Sequence, residues 1–313
     1  MKTEKQARKI RVGTRGSPLA RAQATEVCNC LKVAHGEGEL DLSIRIIKTS
    51  GDMIQDRALA AVGGKGLFTK EIEEALLADE IDLAVHSMKD MPSVLPAGLS
   101  IECILPREDV RDAFISRDGK TLAELPSGAT VGTASVRRQA IIRRMRPDVK
   151  VVLFRGNVET RLRKLEEGVA DATLLAAAGL KRLGLTHHVT EYFSEDVMLP
   201  APAQGAIGIE VRSSDTGLIA LLSAIADPVT TVELAAERAF LTALDGSCRT
   251  PIAALARVEG DEVSFRGMIL TLDGGRAYET SRRGPKSDAA AMGLDAANEL
   301  LRRGGPDVFR DVA

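Results

Sequence analysis

Residues 10–18 read IRVGTRGSP and residues 131–139 read VGTASVRRQ, and what these two stretches share decides the fold. In each, the triplet Val-Gly-Thr closes a run with strand character, and a serine follows within a few residues: Ser17 before Pro18, and Ser135 before Val136. A serine there accepts a hydrogen bond from a free N–H of the first helical turn, so both read as a strand, a tight turn and a helix start. Proline suits the first helical position because its missing N–H has no partner there in any case. Two such units predict two lobes of similar build, each offering a helix start to an anion.

Working outward, apolar strands alternate with amphipathic helices, which predicts an α/β fold with largely parallel sheets. The candidate strands are 10–14, 42–48, 81–85, 99–105, 112–116, 130–133, 150–154, 171–176 and 206–211. Phe68, Ile72, Ala75 and Leu76 make one helical stripe, and Val158, Leu162 and Leu165 another, with Asn157 as its cap and Gly168 as its stop. Pro106 and residues 199–202 read as crossings between lobes. After about 226 the pattern changes: a capping box of Thr230 and Glu233 opens a helix, three strand-like runs follow, and a last helix carries Met292, Ala296 and Leu300. The expected organisation is residues 1–105 with 200–225 as lobe 1, 106–199 as lobe 2, and 226–313 as a small α+β domain with an antiparallel sheet. Ligands of open α/β sheets gather at the carboxyl ends of strands, so the two lobes are expected to flank a cleft.

Composition excludes several functions. The formal net charge is −2, from 42 Lys+Arg and 44 Asp+Glu, which argues against a uniformly basic nucleic-acid surface. With no Trp and two Tyr there is little to stack on bases. The first ten residues carry charge but no apolar stretch of a secretory signal. GLIALLSAIA, residues 217–226, falls short of the roughly 20 residues of a membrane span. Four cysteines at this length make no disulfide framework, and a cytoplasmic setting is expected.

The chemistry-bearing residues are mostly cationic. Arg11, Arg15, Arg137, Arg138, Arg155 and Arg161 all fall in short Gly/Ser/Thr-rich turns. Arg137 and Arg138 lie in a first helical turn, where each cation costs about 0.3–1 kcal/mol unless an anion answers it. A guanidinium fork suits a carboxylate, so several forks converging on one site imply a ligand with several negative groups. For any single arginine, a solvated surface role is the plainer reading.

Gly63-Gly64-Lys65-Gly66 fails the phosphate-loop spacing, since Gly66 stands where Ser or Thr is needed, and reads instead as part of a glycine-rich lid over roughly 49–66. Asp90, after the strand IDLAV, is either ion-paired to Lys89 or an arginine, or a carboxylate free to bind N–H groups and stabilise developing positive charge. His86 reads as structural, and His187 with His188 lacks metal-ligand spacing. Cys28 and Cys30 face different ways on a helix, and Cys103 lies in an apolar strand. Cys248, in the loop DGSCRTP beside Arg249, has a positive neighbour that favours thiolate.

The segments TRGSPLA, GGKGLFTKE, DLAVHSMKD, GTASVRRQ, RGNVETRL, AAAGLKRLG, PAQGAIGIE and DGSCRTPIA occur in this order within residues 10 to 255. Together they resemble the porphobilinogen deaminase (hydroxymethylbilane synthase) family. The resemblance implies a transferase that adds four porphobilinogens stepwise, each with loss of ammonia, to a dipyrromethane cofactor attached to Cys248 by a thioether, and releases the linear tetrapyrrole hydroxymethylbilane. Each pyrrole bears an acetate and a propionate, which clustered guanidiniums suit. The resemblance implies cofactor contacts from Ser17, Lys89, Asp90, Thr133, Ser135, Arg137, Arg138, Arg155 and Gly156. Substrate contacts are implied for Arg11, Arg15, Arg155, Arg161, Arg182 and Gln204, with Asp90 as the catalytic group. It also implies two lobes like those of periplasmic binding proteins plus a domain carrying the cysteine loop; the chain is expected to act as a monomer with no metal, nucleic acid or membrane. Ala134 stands where many members have Ser, and Ser50 and Ala61 where some relatives are basic. The alternative is a non-catalytic two-lobed anion-binding protein, which would have no use for Asp90 or Cys248.

Overall fold

The computed structural model describes residues 7–53, 68–244, 250–305 and 308–309. The chain opens with β1 (Arg8–Arg15), α1 (Pro18–His35), β2 (Leu40–Ile47), α2 (Ser50–Met53), α3 (Lys70–Leu77), β3 (Leu83–Ser87) and β4 (Leu99–Ile104). Next come β5 (Asp112–Ser116), β6 (Thr130–Gly132), α4 (Val136–Met145), β7 (Lys150–Val152), α5 (Val158–Glu166), β8 (Ala172–Ala176), α6 (Ala177–Arg182) and β9 (Glu191–Tyr192). The remainder is β10 (Ile207–Arg212), α7 (Thr216–Leu222), α8 (Pro228–Ala243), β11 (Ile252–Glu259), β12 (Glu262–Leu270), β13 (Ala277–Pro285) and α9 (Ala289–Gly304).

Two compact units result. Among the described residues the first holds 7–53, 68–107 and 206–230, and the second holds 108–205 and everything described from 231 onward. The first unit's sheet has the order β2-β1-β3-β10-β4, and the second unit contains a sheet of order β7-β6-β8-β5-β9. The Val-Gly-Thr echo is therefore structural. The strand carrying it, β1 or β6, is second in its sheet and parallel to both neighbours. Ser17 and Ser135 each cap the following helix, accepting from Ala20 N and Arg138 N.

The expectation of largely parallel sheets holds for four of the five strands in each sheet, with one exception apiece. In both sheets the fourth strand, β10 or β5, runs antiparallel to its two neighbours. Neither is joined to the strands beside it by a helical crossover that returns the chain in the same direction, so nothing forces it parallel. Hydrophobic patterning locates a strand but carries no sign for its direction.

Packing follows the sequence stripes. On α1, Ala24, Val27 and Leu31 are fully buried against Ile10, Val12, Leu83 and Ile209. Each of the Val, Leu and Ile side chains among them contributes about 1.5–3 kcal/mol when buried. In the second unit, Val131, Ile142, Leu174 and Phe114 form one core cluster, which Leu270 of β12 joins. The antiparallel meander β11-β12-β13 packs with α8 and α9 around Phe240 and Phe265, whose ring centroids lie 5.2 Å apart. The α8 cap differs from expectation. Asp227 rather than Thr230 accepts the backbone bond, from Thr230 N at 2.8 Å, and Glu233 instead accepts from Val258 N at 3.2 Å.

Candidate active site

In the first unit β1 and β3 are paired in parallel, with Val12 opposite Leu83, so the chain leaves both strands at one sheet edge. Arg15 ends β1, and its guanidinium carbon lies 4.1 Å from the centroid of the Phe68 ring. β3 passes through His86 and Ser87 into the single 3₁₀ turn Met88–Asp90. Asp90 is exposed, and among the described residues no ion pair or hydrogen bond engages its carboxylate. The ion-paired reading of Asp90 is thus not what these residues show. His86 is buried and bonded through Nε2 to Glu210 Oε2 at 3.0 Å, a structural contact as expected.

Arg11 is a correction. It lies within β1 rather than in a turn, and its guanidinium is turned to the amino end of β3, where Nη2 meets Asp82 Oδ1 at 2.7 Å and Asp79 Oδ1 at 2.9 Å. Burial works to raise the Asp82 carboxyl, but the hydrogen bonds and charge of Arg11 outweigh it and hold that group below the usual carboxylate range. The structure does not bring Arg11 to the edge that holds Arg15, Ser17, Lys89 and Asp90.

The second unit repeats the geometry. β6, β7 and β8 are parallel neighbours, so the segments holding Thr133 and Ser135, then Arg155 and Gly156, then α6 with Arg182 leave at one edge. Thr133 is buried, and its hydroxyl accepts from Ser135 N at 3.2 Å. Gly132 is required by close approach: a Cβ there would lie 2.5 Å from Phe154 Cγ. Gly156 has φ +125°, a conformation side chains rarely adopt. Arg161 folds back so that Nε donates to Gly156 O at 2.8 Å, and Lys164 Nζ donates to Arg155 O at 3.0 Å. Arg155 and Arg161 are half-buried. Arg182 Nη1 donates to Gly205 O at 3.2 Å.

Arg137 and Arg138 also differ from expectation. They stand in the first turn of α4, but they are buried, and a protein carboxylate answers both. Asp112 Oδ1 accepts from Arg138 Nε at 3.0 Å and Nη2 at 2.6 Å, while its Oδ2 lies 2.7 Å from Arg137 Nη1. Gln204 joins the same carboxylate, with Nε2 donating to Oδ1 at 3.0 Å. Burial alone would raise the Asp112 carboxyl, but the charges of Arg137 and Arg138 prevail and hold it far below the usual range. Two guanidiniums facing one carboxylate leave one positive charge over, and the buried Arg137 Nε has no hydrogen-bond partner among the described residues. That donor chemistry fits a ligand carrying carboxylates. Sequence reasoning missed Asp112, although an aspartate opening the apolar strand DAFIS was the available signal, because a buried acid needs a partner.

Cys248 and Arg249, and the glycines Gly63–Gly66, lie outside the described residues. Of the start of the expected lid, Ser50 is described, and its backbone N donates to Glu71 Oε1 at 2.9 Å. Cys103 is buried, which pushes its thiol up to about 12. Among the described residues no group of three His, Cys, Asp or Glu is placed to hold a metal ion.

Residues 10–220 match the family model "Porphobilinogen deaminase, dipyromethane cofactor binding domain", and residues 231–302 match "Porphobilinogen deaminase, C-terminal domain". The chain belongs to the porphobilinogen deaminase family. The porphobilinogen deaminase of Nitrobacter winogradskyi is 58% identical over 298 residues, covering 95% of this chain and 94% of that one. That of Paracoccus denitrificans is 56% identical over 300 residues, covering 96% of each. Membership makes the chain a hydroxymethylbilane synthase, a transferase with a dipyrromethane cofactor, and the non-catalytic anion-binding alternative is not favoured. Among solved structures the chain is similar to the Bordetella pertussis BvgS VFT2 domain, at 18% identity and TM-score 0.40, covering 74% of this chain and 92% of that one. It is also similar to the probable amino-acid ABC transporter extracellular-binding protein ytmK of Bacillus subtilis, at 10% identity and TM-score 0.41, covering 69% and 89%.

Proposed function

We propose that this chain joins porphobilinogen units stepwise, releasing ammonia at each addition, onto a dipyrromethane primer held by Cys248, and liberates hydroxymethylbilane. The observation that supports this most strongly is Asp90, an exposed carboxylate with no partner among the described residues, placed at the carboxyl edge of its sheet. A carboxylate in that state can accept pyrrole N–H hydrogen bonds and stabilise positive charge on the substrate as the amine leaves. Each addition breaks one carbon–nitrogen bond and forms one carbon–carbon bond, with a proton lost from the ring carbon that attacks the substrate's methylene. Release breaks the carbon–carbon bond to the primer, with the hydroxyl taken from water. When bound, the dipyrromethane supplies the primer on which the first addition is made.

The remaining roles are binding and orientation. Arg15, Arg155, Arg161 and Arg182, with Lys89, are assigned to the acetate and propionate groups. A charge-assisted hydrogen bond contributes about 1.5–3 kcal/mol, so several together retain a growing polycarboxylate between additions. Ser17, Thr133, Ser135 and Gly156 present helix starts and turns at the same sheet edges as these cations. Arg137, Arg138 and Gln204 act as a buried positive cluster behind those turns. We assign the chain to the cytoplasm as a monomer, with three domains (residues 1–105 with 200–225, 106–199 and 226–313) and no nucleic-acid or membrane partner. Incubating the purified protein with porphobilinogen tests the function: one ammonia is expected for each pyrrole joined, with a linear tetrapyrrole released. Binding without consumption contradicts it.

A further inference from the structure

Because no described side chain holds the Asp90 carboxylate, its position is set by the backbone of the turn Met88–Asp90. That turn is seated on β10, which runs antiparallel to β3 with Gly208 opposite His86. Met88 N donates to Ala206 O at 3.0 Å, and Met91 N closes the turn on Met88 O at 3.2 Å. The Met88 side chain is buried over Gly208, where a Cβ would overlap Met88 Sδ, approach its Cγ to 3.0 Å and meet Ile101 Cγ2 at 3.3 Å. One residue pair further along β10, buried Glu210 holds buried His86. The strand that leads into the turn and the turn itself are therefore fastened to one partner strand.

Gly208 has no positive φ to account for it; what it provides is a notch. We propose that Gly208 is a positioning residue for the transferase reaction: its missing side chain seats Met88 and so sets where the turn presents Asp90. The proposal rests on the reading of Asp90 as the catalytic carboxylate. A methyl group at 208 leaves the packed Met88 two responses, a change of rotamer against Ile101 or a shift of the turn. Displacement of a reacting group by about 1 Å costs on the order of a hundredfold in rate.

The test is a three-variant series, Gly208→Ala, Met88→Ala and the double variant, with cofactor content by intact mass and kcat and KM for porphobilinogen. Gly208→Ala is expected to carry its cofactor, to lose on the order of a hundredfold in kcat, and to change little in KM. A purely structural role would lower the unfolding midpoint without that split between kcat and KM. Removing the Met88 side chain relieves the overlap, so the double variant is expected to turn over faster than Gly208→Ala. A Gly208→Ala enzyme with wild-type kcat overturns the proposal, as does a double variant that is no faster than Gly208→Ala. Should Gly208→Ala fail to fold, recovery of fold and turnover in the double variant supports the seating, and no recovery overturns it. Asp90→Ala assayed alongside separates the two ideas: normal turnover there removes Asp90 from its role, whereas slow Asp90→Ala with normal Gly208→Ala removes only the notch.

Discussion

Arg138 grips Asp112 side-on, with Nε at 3.0 Å and Nη2 at 2.6 Å from the same carboxylate oxygen, and both side chains are buried. Local helix electrostatics predicts that cations in a first helical turn call for an anion. The call is met from inside the protein, by an acid on the neighbouring strand β5, and Arg137 shares it. The arginine pair is thus a constructed unit with a single positive charge left over, rather than two free cations awaiting a ligand.

Replacing Asp112 by Asn leaves two buried guanidiniums without a counter-charge and is expected to destabilise the protein by about 3–5 kcal/mol. The folded Asp112 carboxyl is held below its unfolded value by Arg137 and Arg138. Its contribution is therefore complete above the unfolded pKa of about 4 and is lost as pH falls toward the folded value. Urea midpoints of wild type and variant should differ by a constant amount near neutrality and converge below about pH 4. A gap that widens with acid contradicts the assignment.

The two Val-Gly-Thr glycines should not be equally tolerant. A Cβ on Gly132 meets the ring and Cβ of buried Phe154, whereas one on Gly13 meets chiefly Cδ1, the end of the Ile81 side chain. Gly132→Ala is expected to cost about 1–3 kcal/mol through overpacking, and Gly13→Ala less. Denaturant midpoints of the two variants check the order.

Asp90→Ala should separate chemistry from stability. The side chain is exposed and makes no hydrogen bond or ion pair among the described residues that would be lost, so the unfolding free energy should move by less than about 0.5 kcal/mol. Turnover should fall by about 10²–10³-fold with the cofactor still attached. Single-turnover kinetics on protein of verified mass makes the comparison.

Burial keeps the Cys103 thiol protonated at neutral pH, since its pKa is pushed up to about 12. Peptide mapping after native alkylation at about pH 7.5 should find Cys103 unmodified, and alkylation after denaturation should label it. Labelling in the native protein would show that the strand packing around β4 is wrong.

Much of the architecture was legible because periodicity and caps are local. The strands lie within a few residues of their hydrophobic runs, Ser17, Ser135 and Asn157 cap the helices they precede, and the Val-Gly-Thr echo marks equivalent strands in two sheets. What local pattern does not encode is direction and partnership. The antiparallel course of β10 and β5 depends on strands distant in sequence, and the two-residue β9 is too short to leave a periodic signal. Arg11 and Arg138 look alike in sequence. One binds Asp79 and Asp82, the other Asp112, and only the fold assigns those carboxylates. The roles proposed for Cys248 and Asp90 rest on ordered motifs resembling a family, not on the residues taken singly.

Intact mass spectrometry of freshly purified wild type beside Cys248→Ser tests the central claim most directly. Wild type should weigh more than its polypeptide by one dipyrromethane, and the serine variant should weigh only the polypeptide and form no tetrapyrrole. Wild-type protein at bare polypeptide mass that still converts porphobilinogen to the tetrapyrrole would contradict the account.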